Sequence, residues 1–234
     1  MRFKKANIDS INLSDMNLEG FFILHKDYIV EVVKSPSVFE PEIWKDTFNK
    51  SLTQNIVRAC IIHTYLGLTL PLKTQSRNQK MQVLELAGLH GYNERSKLLK
   101  VHLKELWSQL QHTKIVRVDI AIDWEKKIPS KVFKALKANR EPFKWFNSTY
   151  FKTAKEGKKN YYINIVAYDK AKKENLPEPM ERLEFSFGSA FFKNMYLKDL
   201  PKAIEKMEKA IKKKIGITVK IIPIPHTRKL YSKK

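Results

Sequence analysis

Two aspartates, a glutamate and a tyrosine are the side chains from which chemistry is most easily built here. In KIVRVDIAIDW (114–124), strand alternation puts Arg117, Asp119, Ala121 and Asp123 on one face and Val116, Val118, Ile120 and Ile122 on the other. In ERLEFSF (181–187), Arg182, Glu184 and Ser186 oppose Leu183, Phe185 and Phe187. Carboxylates on such a face suit hard cations, Mg²⁺ or Mn²⁺, which polarise phosphate oxygens. Asp119 and Asp123 stand roughly 13 Å apart along an extended strand, so Asp119 with Glu184 from a neighbouring strand is the easier pair. The same spacing also fits a salt-bridge lattice with Arg117, Arg182 and Lys170.

Tyr150 is the potential nucleophile. In NSTYFKT (147–153) it shares a face with Ser148 and Lys152, opposite Phe151. A phenol with a pKa near 10 needs a cation close by before it attacks phosphorus at neutral pH, and Lys152 and Arg117 are placed to supply that field. With nine tyrosines in the chain, packing or base stacking is the competing role. Other motifs carry less. The six histidines form no His-x-His or i, i+4 pair. HTRKLY (226–231) lacks the context of a recombinase motif, and DWEKK (123–127) reads as a strand exit. Seven glycines in all leave no glycine-rich phosphate loop.

The elements that position these residues are strands interleaved with helices. Ile115–Asp123, 144–152, Tyr161–Asp169 and Glu181–Phe187 read as strands. Residues 130–138 read as a short helix, 201–214 as a longer one and 217–222 as a last strand. In YYINIVAYDK, Ile163, Ile165 and Ala167 oppose Tyr162, Asn164, Tyr168 and Lys170. In the long helix Ile204, Met207, Ile211 and Ile215 form one stripe. The first 112 residues suggest a hairpin of FFIL and YIVEVV, the strands LTLPLK and MQVLELAG, and a helix from about 94 to 110. The expected architecture is α+β: an antiparallel sheet with helices packed on one face in a ferredoxin- or RRM-like arrangement, built as two halves that are candidates for related folds. The expected divisions are an N-terminal α+β half (1–112), a catalytic half (113–223) and a basic tail (224–234).

Composition bounds the partners. The chain has 234 residues, 45 Lys and Arg against 24 Asp and Glu, a net charge of +21, and 43% hydrophobic residues; its pI is near 9.9. A core is affordable, and a cationic excess of this size points to a polyphosphate partner. Residues 1–50 are close to neutral, so the excess lies beyond them. A single cysteine, Cys60, excludes a disulfide framework. No apolar run spans a bilayer and no secretory leader is visible, which gives the expectation of a cytoplasmic protein without a membrane partner.

RVDIAID (117–123), TYF (149–151), INIVAYDK (163–170) and ERLEFSF (181–187), in this order, resemble the replication initiation factor family, the rolling-circle initiators of small plasmids and the related replication proteins of filamentous phages. The segment LELAGLHGYNERSKLL resembles the stretch before the first motif, and the likeness spans residues 80–190. It implies a nicking–joining enzyme of a bacterial host that forms a covalent 5′-phosphotyrosine with origin DNA, single-stranded or hairpin, using Mg²⁺ or Mn²⁺. Tyr150 matches the nucleophile; Asp119, Asp123 and Glu184 match the metal positions. Arg117, Lys170 and Arg182 match groups near the scissile phosphate, Lys170 joining Lys152 as a catalytic cation. Lys158 and Lys159 of the loop 154–159, and Lys212, Lys213 and Lys214 ending the long helix, are further expected DNA contacts. A host helicase and a second copy of the chain are the other partners considered. Lys152 stands where the family has glycine, which keeps Tyr161 and Tyr162 as alternative nucleophiles. The competing reading is a non-catalytic single-strand binder whose sheet tyrosines stack on bases. A hydrolytic nuclease is a third.

Overall fold

The computed structural model describes residues 4–14, 29–33, 60–63, 68–71, 74–76, 79–81, 83–87, 89, 107–108, 110–138, 140–153 and 163–222. The fold is α+β. Its strands are β1 (Lys4–Ser14), β2 (Ile29–Val33), β3 (Cys60–His63), β4 (Leu68–Pro71), β5 (Thr74–Ser76), β6 (Gln79–Met81) and β7 (Val83–Ala87). After these come β8 (Lys114–Trp124), helix α1 (Ser130–Lys137), β9 (Arg140–Trp145), β10 (Ser148–Thr153) and β11 (Ile163–Asp169). Helix α2 (Lys170–Glu174), β12 (Glu181–Gly188), helix α3 (Leu200–Ile215) and β13 (Val219–Ile222) complete the order. Among the described residues no helix is long and apolar enough to cross a membrane.

The chain forms two compact units. One comprises Met1–Asp9, Arg117–Met195 and Asp199–Ile224. Its strands run in the order β13-β1-β8-β12-β11-β10-β9. From β8 to β9 every pairing is antiparallel, whereas β13 lies parallel to β1, with Lys4 opposite Val219. One face of this sheet is apolar. Val118, Ile120, Ile122, Leu183, Phe185, Phe187, Ile165 and Phe151 are buried there. The helices complete that core: Val132 and Leu136 of α1 are buried, as are Ala203, Met207, Ile211 and Ile215 of α3. The i, i+4 stripe expected of α3 is therefore its buried face. Pro201 in its first turn needs no helical hydrogen-bond partner, and Gly216 ends it in the left-handed conformation at φ 69°.

The other unit comprises Ser10–Val116, Tyr196–Lys198 and Pro225–Lys234. Within it β7 pairs antiparallel with Ser10–Ser14 of β1 and with β4, β4 with β3, and β3 with β2. β5 and β6 form a separate hairpin. The expected strand over YIVEVV corresponds to β2, whose described partner is β3; FFIL lies outside the described residues.

Three elements differ from the sequence expectation. The single strand expected over 144–152 is a hairpin, β9 and β10, with Trp145 opposite Ser148 and a two-residue loop of Phe146 and Asn147. The turn contains no glycine or proline to announce it. β1 is a strand that alternation does not reveal, because its buried apolar positions run Ala6, Ile8, then Ile11, Leu13, changing phase midway. Lys170, expected at a strand end, opens α2, where the Asp169 carboxylate accepts a 2.9 Å bond from the Lys172 amide.

Candidate functional site

Register converts the polar faces of four strands into a lattice. Tyr150 of β10 lies opposite Val166 of β11, Val166 opposite Glu184 of β12, and Glu184 opposite Ala121 of β8. The next row reads Ser148, Tyr168, Arg182, Asp123, and on the other side Asn164 faces Ser186, which faces Asp119. Adjacent strands stand about 4.8 Å apart, so the Tyr150 and Glu184 backbones are about 10 Å apart, with only the short Val166 side chain between them. The gap is the width of a phosphate group and its ligands rather than of a direct contact.

The acids are not equivalent. Asp123 is gripped by Arg182, whose Nε and Nη2 donate to its two oxygens at 2.7 and 2.9 Å, and by Lys170 Nζ at 3.3 Å. Burial works to raise the Asp123 carboxyl, but the Arg182 and Lys170 charges and hydrogen bonds outweigh it and hold it below the usual value. Both cations are almost wholly buried, each with side-chain exposure of 2%. Arg182 also reaches Asp9 of β1 at 3.3 Å, a carboxylate that sequence reasoning missed because it lies far off in the chain on the strand whose alternation shifts phase. Asp119 accepts a 2.8 Å bond from Arg117 Nε, while Arg117 Nη2 donates to Ser186 at 3.2 Å.

Glu184 is the perturbed member. Burial raises its carboxyl, and the charges of Asp119 and Asp9 raise it further, against the opposing pull of Tyr168 and Arg182. The Tyr168 hydroxyl donates to Glu184 Oε2 at 3.1 Å. Burial and the Glu184 charge push the Tyr168 phenol up, so it stays a donor. Among the described residues no group of three His, Cys, Asp or Glu side chains is arranged to hold a metal ion by itself.

The lattice floors an open groove of about 650 Å³, lined by Arg117, Tyr150, Asn164, Tyr168, Lys173 and Glu184 among others, with Trp145 and Phe146 on one wall. Tyr150 is 39% exposed. Lys173 Nζ sits 4.6 Å from the centre of the Tyr168 ring. The structure thus brings Arg117, Asp119, Asp123, Tyr150, Lys170, Arg182 and Glu184 to one face. Lys212 and Lys213 are exposed and Lys214 half-buried on the last turn of α3, a helix packed by its apolar stripe on the far side of the sheet, so they do not join the groove. The Lys152 side chain, Lys158, Lys159, Tyr161 and Tyr162 lie outside the described residues. Alternation alone set Tyr168 on this face; Trp145, Phe146 and Lys173 carried no sequence signal beyond aromaticity and charge.

No protein-family model and no curated protein matches the chain. Among solved structures it is similar to a rolling circle replication initiator protein from Geobacillus stearothermophilus, at 14% identity over 83% of this chain and 79% of that one, with a TM-score of 0.44.

Proposed function

We propose that the groove is the site of a DNA nicking–joining enzyme that initiates rolling-circle replication, with Tyr150 as nucleophile. The observation that carries this reading is the cross-strand row that holds an exposed tyrosine and a half-buried carboxylate two strands apart in an open groove that Arg117 and Lys173 also line. The order of the sequence motifs supplies the biological setting. Of the two groove tyrosines whose side chains are described, Tyr168 is buried and committed to Glu184, which leaves Tyr150 for attack. The Tyr150 oxygen bonds to phosphorus as the bond from phosphorus to the 3′-oxygen breaks; the departing oxygen takes up a proton and the 5′-phosphate stays on the protein. Reversal rejoins the strand, and since one phosphodiester replaces another no nucleotide triphosphate is consumed.

Mg²⁺ is commonly held by one or two carboxylates plus substrate phosphates, so a three-acid cage is not required. Asp119 and Glu184 fit that role: burial first, and then the nearby charges of Asp119 and Asp9, raise the Glu184 carboxyl, and a cation would offset both. A divalent ion bound there supplies charge to the phosphate oxygens. Asp123 acts as a positioning residue, fixing Arg182 and Lys170 beneath the groove. Arg117 and Lys173 stand at the groove for the strand's phosphates.

The test is covalent capture. Labelled single-stranded DNA with Mn²⁺ is expected to give an SDS-stable adduct with the wild-type chain and none with Tyr150→Phe, which still binds DNA. An equal adduct from Tyr150→Phe would remove Tyr150 from the chemistry.

A further inference from the structure

The β9–β10 hairpin is built against ordinary turn chemistry. Of its two loop residues only the first, Phe146, has a positive φ, at 47°. That is the pattern of a type II′ turn, whose first position is normally glycine because a side chain there is strained. The strain is not offset by burial of the side chain: Phe146 is 90% exposed. Its ring meets Trp145 edge-on at 5.4 Å, and Trp145 stacks on Phe143 at 6.2 Å and 27°. Trp145 is 57% exposed and Phe143 43%. Register puts Phe143 opposite Tyr150, so three solvent-facing rings lead directly to the proposed nucleophile.

An exposed aromatic row alone suits several partners, and charge selects among them. The chain carries +21, and the groove beside the rings contains Lys173 and Arg117. Planar rings interleaved with cations are the composition of single-strand-binding surfaces, where bases stack while phosphates are neutralised. A base stacked inside a duplex offers no free face. The geometry points to a stacking platform for unpaired nucleobases, Trp145 and Phe146 holding the bases of single-stranded DNA while its backbone passes Lys173 and Arg117 toward Tyr150. This rests on reading the groove as a strand-transfer site and adds what holds the strand beside it.

The test uses the full chain in EDTA, where no transfer occurs, with a mixed-sequence single-stranded oligonucleotide carrying one 2-aminopurine and with the same sequence as blunt duplex. The single strand is expected to change 2-aminopurine emission, and Trp145→Ala or Phe146→Gly to weaken its binding roughly tenfold or more, duplex binding staying unchanged. Trp145→Phe, which keeps a ring, should restore most of the affinity. Phe146→Gly should also melt about 2–4 °C higher, because it removes a strained residue, so its weaker binding cannot be ascribed to unfolding. Unaltered single-strand affinity in both variants, equal losses on duplex, or no emission change overturns the platform. Adduct formation with Mn²⁺ judges the chemistry separately: a chain that stacks bases and forms no adduct loses the role of Tyr150, and one that forms adduct with both variants binding normally loses the platform.

Discussion

Glu184 shows how one residue can be costly to the fold and useful to the site. Its carboxyl is raised from the ordinary 4.5 by burial and by the charges of Asp119 and Asp9, so the folded chain keeps that proton to higher pH than the unfolded one. Between the two values the native state binds more protons, and stability falls as pH rises through that window. Glu184→Gln is therefore expected to melt higher than wild type at pH 7 and no higher at pH 4, by thermal denaturation at both. Mn²⁺ should raise the wild-type melting temperature more than that of the variant, which also loses nicking. Asp123 has the opposite sign. Its lowered carboxyl contributes stability above the unfolded value, lost as pH falls through the folded one. Whether an acid on this face serves a metal or a guanidinium was not legible in the sequence. Alternation gave the face, but the opposition of Arg182 and Asp123 is a matter of register, which alternation leaves undetermined.

At the scale of elements, β8, β11 and β12 were readable because each sets apolar residues on one face against mostly polar ones on the other, which writes period two directly into the side chains. Helix α3 was readable for the same reason at period 3.6. The β9–β10 hairpin was not, since its loop uses Phe146 and Asn147 where a turn ordinarily advertises glycine. β1 was hidden by its change of phase, and with it Asp9. Where glycine does appear at a left-handed position its role can be isolated. A Cβ on Gly216 would meet no atom within 4 Å, so Gly216→Ala should cost only the conformational penalty of φ 69°, about 1 kcal/mol, measurable by urea denaturation. A loss of several kcal/mol would mean that the terminus of α3 packs more tightly than this.

At the scale of the whole molecule, the excess of 45 basic over 24 acidic residues makes nucleic-acid affinity a strong function of salt. Binding of an oligonucleotide should fall steeply between about 50 and 200 mM salt, by fluorescence anisotropy; a flat response would argue against phosphate contacts. The parallel pairing of Lys4 with Val219 bears on how the chain is made. Among the described strands β1 leaves the ribosome first and β13 last. At 5–20 residues per second, β1 waits roughly ten seconds or longer for this neighbour, its main-chain donors and acceptors on that side unpaired by β13 throughout. A nascent chain halted before β13 thus carries an open strand edge, the template on which two such chains join, and Lys4 and Lys5 on that edge are the charges that set such chains apart.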